Sequence, residues 1–137
     1  MKILNIIANL RGFEVLLTCE VKEMLFIDSK NIDWEDPPRG YYLTDVKQKV
    51  LWTNEETGAM MALVKFPVGV ADKIHSHPEA NQFCYGLSGE IEGPDGKKIS
   101  FEGILAFFPK GEKHGATNVP KESIVLFYWD GPPTPEV

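Results

Sequence analysis

At 137 residues and a formal charge of −6, the chain is long enough for one domain with its own core. Its charge has the wrong sign for a protein that tracks phosphates. Apolar residues at 43% and aromatic residues at 11% exclude a disordered chain, and no apolar run approaches the roughly 20 residues that cross a bilayer. Neither nucleic acid nor a membrane is an expected partner.

Residues 1–23 read differently from the rest. Lys2 and the apolar stretch behind it look like an export signal, but Arg11 and Glu14 interrupt it and no small-residue cleavage site follows. A cytoplasmic protein is therefore expected. Leu16-Leu17-Thr18-Cys19 matches an acylation site poorly. Cys19 and Cys84 follow no framework spacing, so both are expected as reduced thiols. The extension is either a peripheral strand or helix, or it precedes a true start at Met24. A domain is expected over residues 24–131.

Within that domain, Asp33 to Gly40 carries Pro37-Pro38 and predicts a rigid extended connector. Short β-like runs follow at Val46 to Trp52, Ala59 to Phe66, Gln82 to Leu87, Glu90 to Glu92, Ile99 to Phe101, Ile104 to Phe108 and Ile124 to Trp129. Turn residues separate them: Asn54 to Gly58, Ser88-Gly89 and Pro94-Asp95-Gly96-Lys97. Many short strands with Gly and Pro turns predict an all-β sandwich or barrel. Val125, Phe127 and Trp129 alternate with Ile124, Leu126 and Tyr128, so the last strand is apolar on both faces and fits a homodimer interface. Residues 132–137, a Pro-rich tail, cannot continue a sheet and are expected to be extended and exposed.

All three histidines of the chain fall in a metal-ligand pattern. His75 and His77 are two apart, so on a strand they share a face and can meet one ion at about 2.0–2.2 Å. His114 follows the turn Pro109 to Lys113 and can supply a third imidazole from across a barrel.

Two segments then resemble a known family. Gly69-x5-His75-x-His77-x4-Gln82-x6-Gly89 and Gly103-x5-Pro109-x-Gly111-x2-His114-x3-Asn118 are similar to the two motifs of the cupin superfamily, with Gln82 in place of the usual Glu. The resemblance covers about residues 40 to 130. It implies a cupin-type double-stranded β-helix, a jelly-roll barrel, with one divalent ion (Fe, Mn, Ni or Zn) on His75, His77, Gln82 and His114. Glu56 to Pro67 is similar to small cupins related to anti-sigma-factor sensor domains and to hydroxyacetophenone dioxygenases.

An amide in place of a carboxylate leaves the centre near +2 rather than +1, which weakens metal binding and favours anionic oxygen ligands. The resemblance implies a metal-dependent dioxygenase on diketones or aryl ketones, or a lyase or isomerase on unsaturated uronates. A non-enzymatic metal or ligand sensor is the competing class. Glu79, Lys65 and Cys84 are the remaining candidates for chemistry: Glu79 as a substitute carboxylate, Lys65 as a cation should its strand face inward, Cys84 as a thiol beside Gln82. Asn118 is either a turn-capping amide or a pocket residue.

Overall fold

Period-two alternation of apolar residues builds the main sheet of this computed structural model, which describes residues 2–10, 13–21, 24–38 and 40–137. Strands β1 (Lys2–Leu10) and β2 (Phe13–Val21) pair with each other as an antiparallel hairpin. The extension is therefore strand rather than helix. The side chains of residues 1–23, including Cys19, lie outside the described part of the structure.

The larger sheet takes β3 (Lys47–Thr53), β4 (Met60–Phe66), β6 (Gln82–Glu92), β7 (Lys98–Ser100), β8 (Leu105–Phe108) and β10 (Lys121–Trp129). Its order is β3-β4-β10-β6-β7, with β8 also on β6, and every pairing is antiparallel. The opposing wall is shorter. It holds β5 (Gly69–Val70) against β9 (Asn118–Val119), with single bridges between Tyr42 and Asp72 and between His75 and His114. Together the walls form the expected jelly-roll barrel. Among the described residues no helix is long and apolar enough to cross a membrane.

The barrel core follows from which side chains meet across the sheet. Phe127 lies between Ala62 and Cys84, and Val125 between Val64 and Gly86. A large residue beside small ones fills the interior without voids. Ala62, Val64, Cys84, Val125, Phe127 and Trp129 are all buried, each larger one stabilising by about 1.5–3 kcal/mol.

One expectation needs correction. Ser88-Gly89 does not end a strand, because β6 runs through it. The ladder to β10 shifts register there instead, and a Cβ on Gly89 would stand 2.5 Å from Ser123 Cα, so a bulge replaces the turn. Within one chain the final strand buries Val125, Phe127 and Trp129 and leaves Ile124, Leu126 and Tyr128 half-buried.

Candidate metal centre

The chain reaches the site through a short extended segment, His75-Ser76-His77, that ends at the turn of Pro78 and Glu79. His75 and His114 stand directly opposite each other, each N–H donating to the other's carbonyl at 2.8 Å. His77 completes a triangle in which one ring nitrogen from each imidazole lies within 4.8 Å of the other two. The structure therefore brings the three predicted histidines together.

Each imidazole is oriented by a backbone carbonyl. His75 Nδ1 donates to Lys73 O at 2.7 Å, His77 Nδ1 to Pro133 O at 2.9 Å and His114 Nδ1 to Glu112 O at 3.0 Å. A carbonyl can only accept, so the hydrogen sits on Nδ1 and the lone pair on Nε2. Nε2 of His77 and of His114 is buried with no hydrogen-bond partner. Leaving buried acceptors unpaired is costly. A divalent cation there would resolve the deficit, and carbonyl-braced imidazoles are how proteins present such ligands.

Electrostatics agree with this. Burial, then the neighbouring His75 and His114, push the His77 imidazole down to about 4, with Pro133 and Gln82 offsetting part of the shift. Burial also lowers His114. Both are neutral near pH 7, the form that binds metal.

Gln82 opens β6 at the same end of the barrel, between Trp129 and Phe108 on the adjoining strands. Its amide oxygen accepts from Trp129 Nε1 at 2.8 Å and its amide nitrogen donates to Cys84 Sγ at 3.3 Å. The side chain is buried and lines the cavity beside His75 and His114.

The other candidates separate. Cys84 lines the cavity, but burial pushes its thiol up to about 12, so it stays protonated and unreactive. Glu79 is exposed in its turn and does not reach the cavity. Lys65 points to the outer face, its Nζ 4.6 Å from the centre of the Trp34 ring, because Ala62, Val64 and Phe66 take the inner positions of β4. The Asn118 amide donates to the Glu92 carboxylate, away from the cavity.

The cavity has a volume of about 300 Å³ and is walled largely by Phe66, Phe101, Phe108, Phe127, Val119 and Val125. Sequence reasoning missed its polar side, Tyr41, Tyr42 and Asp72. The Tyr41 hydroxyl donates to Tyr42 at 2.9 Å, and its ring lies 4.2 Å from that of His75. Asp72 Oδ1 is buried without a partner, and desolvation raises its carboxyl above the usual range. Asp72 stands three residues before His75, the one signal that could have found it.

Comparison with known proteins places this geometry. The family model of the ChrR cupin-like domain matches residues 22–134. No curated protein matches the chain. A candidate acetylacetone dioxygenase from Methylibium petroleiphilum PM1 superposes with a TM-score of 0.71 at 19% identity, covering 88% of this chain and 90% of its own. An acetylacetone dioxygenase from Acinetobacter johnsonii gives 0.65 at 20% identity, covering 82% and 76%. SigE in complex with the anti-sigma ChrR, from Rhodobacter sphaeroides, gives 0.56 at 19% identity, covering 74% and 51%. At such identities the likeness establishes the fold and leaves the reaction open. Since the family model spans most of its length, the chain belongs to the ChrR cupin-like domain family.

Proposed function

We propose that the protein is a mononuclear metal enzyme that cleaves a small, largely apolar ketone or diketone with dioxygen as co-substrate. The observation that carries this is the cavity. Aromatic and aliphatic side chains form most of its wall, His75 and His114 line it, and among the described residues no Lys or Arg does. A uronate would have to bury a carboxylate and several hydroxyls against phenyl rings, at a cost of at least ~1–3 kcal/mol for each unpaired group. A diketone keeps its polarity on the two oxygens that meet the ion and offers hydrocarbon to the rest.

A divalent ion on neutral donors would act there as a Lewis acid for an enolate oxygen pair. His75, His77 and His114 would hold it, with Gln82 as fourth donor. Phe108, stacked on His114 with ring centres 4.5 Å apart, limits the movement of that imidazole and screens it from water.

The test is oxygen uptake by protein reconstituted separately with iron, manganese, nickel or zinc. Uptake with 2,4-pentanedione or an aryl ketone, abolished in His114→Ala, is expected. Oxygen-independent turnover of an unsaturated uronate would assign the lyase or isomerase branch instead. Bound metal with no turnover of either class, together with capture of a sigma-factor-like partner, would favour the sensor, the reading that the family's name brings forward.

The reading includes a homodimer built on the outer face of the sheet. Tyr85 lies beside Leu105 and Leu126, and Phe83 beside Phe107 and Tyr128, giving two adjoining apolar rows. Leu105 and Phe107 are 62% and 51% exposed, more than a lone chain gains by presenting. Sedimentation at tens of micromolar should show a dimer for wild type and a monomer for Phe107→Glu. A monomeric wild type rejects the interface.

A further inference from the structure

The chain does not end where its sheet does. Beyond Trp129, residues 131–136 turn back across the ligand segment. Gly131 is buried against the Glu79 carbonyl, and a Cβ there would lie 2.3 Å from that oxygen, so only glycine lets the chain pass so close. Ser76 and Glu136 then exchange two backbone hydrogen bonds, each 2.9 Å. The tail, expected to be extended and exposed, is a docked strap.

Its position follows from strand alternation. His75 turns its N–H and C=O toward His114, so Ser76 turns its own to the opposite side. Without a partner there, the ligand segment would be an open edge. Glu136 supplies that partner. Pro133 and Pro135 precede it and carry no N–H, which suits an edge strand and limits further pairing.

The strap also does for one ligand what local sequence does for the others. His75 and His114 are braced by carbonyls only two residues back, Lys73 O and Glu112 O. His77 is braced by Pro133 O, 56 residues away. The backbone around His77 is otherwise engaged, its carbonyl accepting from Gly111 N at 3.0 Å.

We propose that the strap is a positioning element of the metal centre, holding His77 as the Nδ1–H tautomer and closing the free edge of the ligand segment. Metal affinity then depends on a segment outside both histidine motifs. The proposal rests on the metal reading of the site.

Three forms separate the possibilities: the full chain, a chain ending at Gly131, and full-length Glu136→Pro, which removes the N–H donated to Ser76. Affinity for zinc is measured by competition with a chromophoric chelator, and imidazole tautomers in the metal-free proteins by ¹⁵N NMR. The full chain should show His77 protonated at Nδ1. The truncated chain should bind zinc about 10–100-fold more weakly, as for other losses of an outer partner, and should show a mixed His77 tautomer. Added peptide of residues 132–137 should restore part of the affinity. Glu136→Pro should lose at least about threefold and decides the matter should the truncated chain fail to fold. A full chain that binds no metal removes the underlying reading. A full chain that binds metal, beside a folded truncated chain or a Glu136→Pro variant of equal affinity, overturns the strap's role and leaves the site intact.

Discussion

Removing the metal from the wild-type protein is expected to lower Tm by about 10 °C when the free ion had stood near one hundred times its Kd. The size follows from mass action: an ion that binds only the folded chain at that concentration stabilises it by about 2.7 kcal/mol. Each kcal/mol moves Tm by roughly 3–5 °C in a domain of this length. His114→Ala should show neither the metal-induced rise nor the fall on chelation. Its metal-free form should lie within about 2 kcal/mol of metal-free wild type. The substitution deletes an Nε2 that has no partner without metal, and loses the stacking on Phe108. Scanning calorimetry of both proteins, with and without chelator, measures all four values. A wild-type Tm indifferent to chelator, at stoichiometric metal content, would place the ion away from this triangle.

The features that decide that experiment were visible in the sequence because they depend on short spacings. His75 and His77 share a face in any extended segment, and the turn from Pro109 to Lys113 delivers His114 in register. The alternation of Ala62, Val64 and Phe66 likewise marks the inner face of β4 and leaves Lys65 on the outer one. What escaped depends on contacts distant in sequence or on exceptions to local rules. Prolines at 133 and 135 forbid a central strand, and from that prohibition the tail is expected to be extended and exposed. They permit an edge strand, and the structure uses the permission. Ser88-Gly89 carries turn chemistry, yet the Gly89–Ser123 approach makes it a bulge inside one long strand. Tyr41, Tyr42 and Asp72 sit where no periodicity marks a face, and only the spacing of Asp72 from His75 pointed at the cavity. Gln82 came from the resemblance to the cupin motifs, and its partner Trp129 becomes evident only when β6 and β10 are paired.

That pairing makes Gln82 the most informative position to change. As a metal ligand its oxygen serves the ion, and as a brace it serves the Trp129 N–H at 2.8 Å. Gln82→Ala distinguishes the two. Loss of the acceptor leaves a buried indole N–H unpaired, costing about 1–3 kcal/mol, and the missing side chain adds a cavity penalty. A drop of roughly 3 kcal/mol in urea stability of the metal-free protein is therefore expected whichever role holds. A ligand role adds a loss of about tenfold in metal affinity, which Trp129→Phe does not share. Gln82→Glu moves the site the other way. The carboxylate can still accept from Trp129 while its charge reduces the centre from +2 to +1, so metal should bind at least tenfold more tightly. The same charge opposes an incoming enolate, and KM for a diketone should rise as the metal Kd falls. Steady-state kinetics at saturating metal read this divergence. A Gln82→Glu variant with tighter metal and an unchanged KM would mean that the substrate does not meet the ion as an anion, and would redirect attention to Asp72 and the Tyr41–Tyr42 pair as the polar groups that receive it.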